Sequence, residues 1–355
     1  MSRRIGTSYC WGVLSGPRLR QVALVARDCG QVADELRQAF GWRPPRARRA
    51  GHGQGITEVA IAGLPSGGPK MIGGVRFASE KDDMTALDTG TEDLRAEIDG
   101  GVAVITMNRP DRRNAFSQAM VSALGAVLAL VETDEAVGCV VLTGAEGAFC
   151  AGGDVKSMAA QPADGTGRSL DALIHRQRLN QRATSGRLWN MPKPTIAAIG
   201  GPAAGAGLSL ALACDLRYAV SGAVLTTAFA KVAFAGDYGG TWFLTRLVGS
   251  SKAKELYYFS ERLSADDAHR LGIVNAVFPP ADFEREVMER ARRLAHGPSI
   301  AYRYMKENLN RAVSGELGDC MDLEVTHHVH TGLTEDHREA ARAFMDKREP
   351  RFHGR

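Results

Sequence analysis

Two turns rich in small residues, each lying between a buried strand and a helix, place the strongest constraint on the fold of this chain. The first is FCAGGDVK at residues 149–156, which follows the apolar strand at 139–143. The second is GGPAAGAGLS at residues 200–209, which follows the apolar strand at 195–199. Such a turn leaves backbone N–H groups free at the positive end of a helix, where they bind an anion or a developing oxyanion. The pair therefore indicates two N–H donors that converge on one oxygen.

Strands and helices alternate around these turns, which favours an α/β fold with a sheet that is buried on both faces. The segment GVAVITMN at 101–108 is a further buried strand, and Ser117 is placed to cap a helix whose apolar stripe runs to Val131. Beyond residue 280 the pattern is almost wholly helical, and it predicts helices at 281–296, 298–313, 316–331 and 334–347.

The net charge of +4 is concentrated in the first quarter of the chain. Residues 1–83 carry 13 Lys and Arg against 7 Asp and Glu, a net charge of +6, and the remaining residues sum to −2. The basic segment has no recognisable nucleic-acid module, so a nucleic-acid partner is not expected. We expect 1–83 to be a basic, partly ordered extension, 84–280 to be the core, and 281–355 to be a helical region of the same fold.

Composition excludes a disordered or membrane-spanning chain. Hydrophobic residues make up 44% of the chain and charged residues 24%, as in folded globular proteins. No run of eighteen apolar residues occurs, so no membrane contact is expected. The six cysteines show no CxxC spacing and the N terminus shows no export signal. We therefore expect reduced thiols and a cytoplasmic location.

The motifs of residues 94–355 resemble the enoyl-CoA hydratase/isomerase (crotonase) superfamily. The similarity runs through NRP at 108–110, NAF at 114–116, the two turns above and GDYGGTWFLTRLVG at 236–249, in the family's order. The resemblance implies an α/β fold with a crotonase-like spiral of ββα repeats and a C-terminal helical trimerisation region. It also implies a homotrimer, or a hexamer that is a dimer of trimers. The implied substrate is an acyl-CoA thioester, with coenzyme A as part of the substrate and no separate cofactor.

The resemblance also assigns site residues. The backbone N–H groups of Gly153 and Ala206 would hold the thioester oxygen. Ala206 stands where the family usually has glycine, and its N–H can serve because any residue with an allowed φ and ψ supplies that donor. The positions that would contact coenzyme A are Arg113, Ala115, Ala151, Asp154, Lys156 and, late in the helical region, Lys306.

The sequence departs from the family at two carboxylates. Hydration of an enoyl thioester uses one carboxylate to activate water and another to manage the α-proton. Ser209 and the region of Phe229 occupy the matching positions. One acid, Asp237, precedes the next helix at or near the position where isomerase-type and dehalogenase relatives carry a catalytic aspartate. We predict double-bond isomerisation with Asp237 as acid and base, with nucleophilic attack by Asp237 or a helix-capping role as the alternatives.

Two other functions are consistent with the sequence. Hydratase activity would use Asp237 together with a second group that the sequence does not identify. A family member without catalytic activity would bind acyl-CoA alone, or would bind RNA through the basic segment at 1–83.

No metal site is predicted. The segment at 19–42 weakly resembles the start of a vicinal-oxygen-chelate (glyoxalase-like) domain, with Gln21 where that family often has its first metal ligand. That segment has too few ligands for a working metal site. His327, His328 and His330 match no ligand spacing, and we interpret them as surface or interface residues.

Overall fold

The structure is a computed structural model that describes residues 8–12, 22–26, 58–61, 70–72, 75–79, 84–159 and 169–355. The chain divides into two compact units, Met1–Thr85 and Ala86–Arg355. Gln21 and most of the segment at 19–42 lie outside the described residues. The glyoxalase-like resemblance of that segment therefore stays a prediction.

The described part of the first unit consists of short strands. Strands β1 (Ser8–Gly12) and β2 (Val22–Ala26) pair antiparallel. Strands β3 (Glu58–Ile61), β4 (Lys70–Ile72) and β5 (Val75–Ser79) form a three-stranded sheet in the order β3-β5-β4.

The remaining strands build one large sheet and one small sheet. They are β6 (Thr85–Leu87), β7 (Leu94–Asp99), β8 (Val102–Met107), β9 (Cys139–Gly144), β10 (Thr195–Ile199), β11 (Ala203–Ala204), β12 (Leu216–Val220), β13 (Val224–Thr226), β14 (Leu263–Ser264) and β15 (Ala276–Phe278). The large sheet has seven strands in the order β15-β12-β10-β9-β8-β7-β6, and β8, β9, β10, β12 and β15 run parallel. The small sheet has the order β11-β13-β14. The expected α/β fold with a parallel-rich sheet is confirmed.

The helices follow the strands as the sequence predicts. They are α1 (Gln118–Thr133), α2 (Val155–Ala159), α3 (Leu170–Ala183), α4 (Ser185–Asn190), α5 (Ala206–Ala213), α6 (Gly240–Phe259), α7 (Ala265–Arg270), α8 (Pro280–Ala295), α9 (Ser299–Ala312), α10 (Leu317–Gly332) and α11 (Glu335–Asp346). Ser117 caps α1 by accepting a hydrogen bond from the Met120 N–H. The four helices predicted beyond residue 280 are confirmed, each end lying within a few residues of the expected one.

The strand before the second small-residue turn and the helix after it both lie in the core. All five residues of β10 are buried, and so are all eight residues of the helix α5 that follows the turn. The sequence of α5, AGLSLALA, is built from small and aliphatic residues. Such residues let a helix pack closely on every side. Because α5 is packed on all sides, the turn that leads into it is held in a fixed position.

The C-terminal helices leave many apolar side chains exposed. On α10 these are Leu317, Met321, Val325 and Val329, which repeat every four residues and so share one face of the helix. Met305 and Leu309 on α9, and Phe344 and Met345 on α11, are exposed as well. No helix within the described ranges is long and apolar enough to cross a bilayer.

Candidate active site

Backbone hydrogen bonds join the two small-residue turns. The N–H of Phe149 donates to Pro202 O at 3.1 Å, and the N–H of Ala204 donates to Cys150 O at 2.9 Å. A Cβ placed on Gly152, whose φ is +83°, would lie 2.7 Å from Ala204 O. Only a glycine tolerates both that conformation and that approach. The first turn therefore lies directly against the second, as expected for two donors that serve one oxygen.

Gly153 and Ala206 come shortly after these contacting residues in the chain, Gly153 after Gly152 and Ala206 two residues after Ala204. Ala206 is the first residue of α5, and its N–H is one of the unpaired donors at the positive end of that helix. Within the described part of the chain, neither the Gly153 N–H nor the Ala206 N–H donates a backbone hydrogen bond. Both groups are thus available to an acceptor, and their role as an oxyanion hole stays a prediction.

Asp237 lies half-buried in the loop that precedes α6. Its Oδ1 atom is buried without a hydrogen-bond partner among the described residues, and its Oδ2 atom accepts only a long hydrogen bond of 3.5 Å from Gln177 Nε2. Burial raises the pKa of Asp237 to about 6 because the charged form loses solvation. A carboxyl group with that pKa exchanges protons readily near neutral pH, which suits an acid and base.

The loop that carries Asp237, residues 236–240, contacts the first small-residue turn through two aromatic rings. The N–H of Phe116 donates to Gly152 O at 2.7 Å, which fixes Phe116 beside that turn. The rings of Phe116 and Tyr238 then meet edge to face, with centroids 5.3 Å apart. Tyr238, the neighbour of Asp237 in the chain, therefore lies close to the first small-residue turn.

Ser209 and the region of Phe229 are where the resemblance predicts the positions of the hydratase carboxylates. Ser209 is fully buried, and its hydroxyl donates to Gly205 O at 3.3 Å. Phe229 is also buried and stacks on Tyr257, with ring centroids 5.8 Å apart. A Cβ on Gly240 would overlap Ser209 Oγ and lie 2.7 Å from Tyr257 Oη. The space around Ser209 is thus already filled, which agrees with a small packing residue at that position.

The residues expected to contact coenzyme A include one compact group. The N–H of Ala151 donates to Arg113 O at 2.9 Å, so the segment with Arg113 and Ala115 runs beside the first turn. Ala115 O accepts a hydrogen bond of 2.6 Å from Arg109 Nη1. Lys156 lies exposed on α2 of the same region. These positions are close together along two adjacent segments, and their contact with coenzyme A stays a prediction.

Asp154 has a structural role within this group. Its Oδ1 accepts a hydrogen bond of 3.1 Å from the Ser157 N–H, and its Oδ2 lies 3.3 Å from Arg109 Nη2. The hydrogen bond from the Ser157 N–H, aided by Arg109, holds the pKa of Asp154 below its usual value. Asp154 therefore caps α2 and pairs with Arg109, whose importance the sequence alone did not indicate.

Lys306 lies apart from that group, on α9. Its ammonium group donates to Asp215 Oδ2 at 2.9 Å, to Leu188 O at 3.1 Å and to Lys193 O at 3.3 Å. Three oxygens of the same chain thus occupy all three of its donor positions. Contact of Lys306 with coenzyme A stays a prediction, and such a contact would have to compete with these bonds.

His327 is buried rather than exposed, whereas its neighbours His328 and His330 lie on the surface. Its Nδ1 atom lies 2.6 Å from Asn308 Oδ1, and its ring packs on Tyr304 with centroids 4.3 Å apart. His327 therefore helps to join α9 to α10. The described ranges contain no group of three His, Cys, Asp or Glu residues that could hold a metal ion.

Three residues of the site were not identified from the sequence. Gln177 and Gln181 project from α3, one turn apart, towards the loop with Asp237 and Tyr238. Tyr257 reaches the same loop from α6. The one available signal was the four-residue spacing of the two glutamines, which places them on one face of a helix.

A half-buried acid near two adjoining turns with free N–H groups is an arrangement typical of enzymes that stabilise negative charge on a carbonyl oxygen. The family model described as enoyl-CoA hydratase/isomerase matches residues 97–355. The chain belongs to this family, and the expected crotonase resemblance is confirmed.

The matched part of this chain covers most of the length of each named relative. A probable enoyl-CoA hydratase of Rhodobacter capsulatus is 36% identical, over 74% of this chain and 98% of that protein. The 1,2-epoxyphenylacetyl-CoA isomerase of Escherichia coli is 35% identical, over 74% and 99% of the two chains. The 4-chlorobenzoyl coenzyme A dehalogenase-2 of an Arthrobacter species is 34% identical, over 65% and 83%.

Solved structures confirm the crotonase fold. A crystal structure of an enoyl-CoA hydratase subunit from Geobacillus kaustophilus has a TM-score of 0.67 and 37% identity, and the match covers 75% of this chain and all of that one. A putative enoyl-CoA hydratase from Streptomyces coelicolor has a TM-score of 0.69 and 31% identity, with 76% and 98% covered. The protein is accordingly an acyl-CoA enzyme of the hydratase/isomerase superfamily.

Proposed function

We propose that this protein is an isomerase that moves the double bond of an enoyl-CoA thioester, with Asp237 as the single acid and base. The observation that carries the proposal is the environment of Asp237. One carboxylate oxygen of Asp237 is buried without a hydrogen-bond partner among the described residues. Ser209 and Phe229, near the positions matched to the hydratase carboxylates, are buried and carry no acid.

The proposed reaction moves one proton. The Asp237 carboxylate removes a proton from C2 of a 3-enoyl thioester, and the electron pair of that C–H bond delocalises onto the thioester oxygen. The N–H groups of Gly153 and Ala206 hold the resulting dienolate. The protonated Asp237 then returns the proton to C4, which places the double bond between C2 and C3. No water is consumed, so no second carboxylate is needed.

The pKa of Asp237 suits both halves of this reaction. At a pKa of about 6, most of the carboxyl group is ionised at neutral pH and can accept the proton from C2. The same value makes the protonated form a stronger acid than one held at a high pKa, so the proton is returned to carbon readily. A water-exposed aspartate, with its lower pKa, would be a weaker base.

Aromatic side chains around Asp237 favour an acyl group with a flat, apolar portion. Phe116 and Tyr238 meet edge to face beside the loop, with ring centroids 5.3 Å apart. Rings of this kind pack against rings and planar conjugated chains. Two relatives carry names with aromatic acyl groups, the epoxyphenylacetyl-CoA isomerase and the chlorobenzoyl-CoA dehalogenase. We therefore favour a conjugated or ring-containing acyl thioester as the substrate.

We also propose that the protein assembles as a homotrimer, alone or paired into a hexamer, through its C-terminal helices. The support is the apolar face of α10, which carries Leu317, Met321, Val325 and Val329 and is exposed in the single chain. Neighbouring apolar residues of α9 and α11 enlarge this surface. An apolar area of this extent is usually covered in an oligomer.

The decisive experiment separates double-bond migration from addition of water. The wild type and Asp237→Asn are incubated with matched 2-enoyl- and 3-enoyl-CoA esters in D₂O, and migration, hydration and deuterium uptake at C2 and C4 are followed by NMR. The proposal expects migration with deuterium exchange in the wild type and a loss of at least 100-fold, on the order of a missing general base, in Asp237→Asn. The exposed Asp266→Asn serves as the matched control.

Three outcomes would oppose this function. Hydration without migration would identify a hydratase that works with other groups. Full activity of Asp237→Asn would remove Asp237 from the reaction. Tight binding of the esters without any turnover would favour a binding protein.

A further inference from the structure

The loop that carries Asp237 has an unusual backbone. We call residues 236–240 the Asp237 loop. Gly236, Tyr238 and Gly239 all have positive φ, at 112°, 50° and 77°. Glycine adopts such angles without cost, but Tyr238 is a bulky residue in the left-handed region, where Cβ approaches the following carbonyl oxygen. A strained residue of this kind persists only where neighbouring structure holds it.

Helix α3 holds one side of the Asp237 loop. The N–H of Tyr238, the strained residue, donates to Gln181 Oε1 at 2.8 Å. This bond satisfies the backbone donor of the strained residue. One turn earlier on α3, Gln177 Nε2 lies 3.5 Å from Asp237 Oδ2. The short bond to the backbone, rather than the long one to the carboxylate, is therefore the main contact from this side.

The part of α6 that follows a break at Gly249 (φ 77°, ψ 163°) holds the other side through Tyr257. A Cβ on Gly236 would lie 3.1 Å from Tyr257 Cε1, and a Cβ on Gly240 would lie 2.7 Å from Tyr257 Oη. The ring thus touches both ends of the Asp237 loop. Phe229 stacks on Tyr257, and the buried hydroxyl of Ser209 lies beside Oη. These contacts hold the Tyr257 side chain in place, and the side chain in turn restricts the movement of the loop.

We propose that Gln181 and Tyr257 are positioning residues that hold the Asp237 loop from two sides and aim the Asp237 carboxylate at the substrate. The inference rests on the proposed role of Asp237 in proton transfer. Holding a reacting group within a fraction of an ångström is worth much of an enzyme's rate, because a small misplacement removes the near-attack geometry. Neither residue is assigned contact with the acyl thioester, so the effect of each passes through Asp237.

Three variants test this proposal, each against the wild type. Tyr257→Phe removes only Oη, and Gln181→Met removes the acceptor while keeping length and packing. Both are expected to lower kcat by about 10- to 100-fold and to change KM by less than about threefold, because neither substituted side chain is assigned contact with the substrate. The matched control is Tyr258→Phe, since Tyr258 is the next residue on α6 and is exposed.

Gln181→Glu provides a readout that a purely structural role would not move. It keeps an acceptor for the Tyr238 N–H, so it should retain more activity than Gln181→Met. It also adds a carboxylate near Asp237, so the acid limb of the kcat profile should move to higher pH. Among the described residues, Gln177, Tyr238 and Tyr257 also face Asp237. They stay uncharged across this range because burial raises the pKa of both phenols.

The result that overturns the proposal is wild-type kcat and an unmoved acid limb in Tyr257→Phe, Gln181→Met and Gln181→Glu, while Asp237→Asn is inactive. That result would leave the proposed isomerase function intact.

If Asp237→Asn is fully active, the proposed function fails instead. The hold on the loop is then tested without turnover, by ¹³C NMR titration of the Asp237 carboxyl group, whose pKa should differ between the wild type and each variant. Circular dichroism and thermal unfolding confirm that each variant is folded.

Discussion

Lys306 and Asp215 form a largely buried ion pair that ties helix α9 to the core, with Nζ and Oδ2 2.9 Å apart. Asp215 also accepts hydrogen bonds of 2.8 and 3.0 Å from the N–H and hydroxyl of Thr195, on the fully buried strand β10. The pair thus connects the C-terminal helical region to the strand that leads into the second small-residue turn.

Lys306→Met should destabilise the fold. Removal of the ammonium group leaves the Asp215 carboxylate buried without its counter-charge, at a cost of about 3–5 kcal/mol. Chemical unfolding measures the loss. The double variant Lys306→Met/Asp215→Asn should recover part of it, because no charge is then left unpaired. An unchanged unfolding free energy together with a raised KM for CoA esters would instead assign Lys306 to substrate binding.

The activity of the wild type should fall on the acid side of about pH 6. Burial raises the pKa of Asp237 from 3.8 to about 6, and only the carboxylate form can accept the proton from C2. A profile of kcat/KM from pH 4.5 to 8.5 should show this limb as a single protonation of the free enzyme. A limb near pH 4 would mean that burial does not perturb Asp237.

Asp237→Asn should make the protein more stable at pH 8. The folded state holds the pKa above the unfolded value, so it binds more protons between pH 3.8 and about 6, and stability falls as pH rises through that window. Above it, the charged form costs at most about 3 kcal/mol, which the amide avoids. Unfolding at pH 8 and at pH 3.5 checks the sign, since the gain should vanish at the lower pH. An equal gain at both values would point to packing rather than charge.

Arg109→Gln should weaken binding of CoA esters. Arg109 donates to Ala115 O at 2.6 Å and pairs with Asp154 at 3.3 Å, so it supports both segments of the predicted coenzyme A site. We expect KM to rise about tenfold, the equivalent of about 1.4 kcal/mol, with a smaller change in kcat. The exposed Arg95→Gln is the control for loss of a positive charge. Equal effects of the two variants on KM would mean that Arg109 acts only through its positive charge and not through its contacts with Ala115 and Asp154.

Val325→Glu should break the oligomer. Val325 lies in the middle of the apolar face of α10 and is 54% exposed in the single chain. A carboxylate buried there by a partner subunit would be desolvated and unpaired. Light scattering coupled to size exclusion should show a shift from trimer or hexamer to monomer, whereas Asp322→Asn, an exposed change one turn earlier, should not. A wild type that is already monomeric would refute the proposed assembly.

The framework of the fold was predictable because its signals are local. Buried strands such as TIAAI at 195–199 and the small residues after them specify strand, turn and helix within a few positions. The caps and the apolar stripe of α1 are local as well. The location of Asp237 before a helix was likewise predictable, because it lies a few residues from a recognisable motif.

The surroundings of Asp237 were not predictable for a physical reason. Tyr257 and Tyr258 are adjacent and identical in chemistry, and only the packing of α6 decides that one meets the loop and the other meets solvent. Helix α3, which carries Gln181, has no buried residue that would mark its inner face. The partner of Lys306 is 91 positions away along the chain, and no local pattern joins the two.

The closeness of Ser209, Gly240 and Tyr257 has a consequence for how this site could change over evolutionary time. A glutamate at position 209 would need the volume that the Gly240 backbone and the Tyr257 hydroxyl now fill. Acquiring the first hydratase carboxylate would thus require simultaneous changes on α5 and α6, and a chain carrying only one of them would pack poorly. Mutational paths from this site to water-adding chemistry are therefore few, whereas paths that alter the acyl group it accepts remain open through Phe116 and Tyr238.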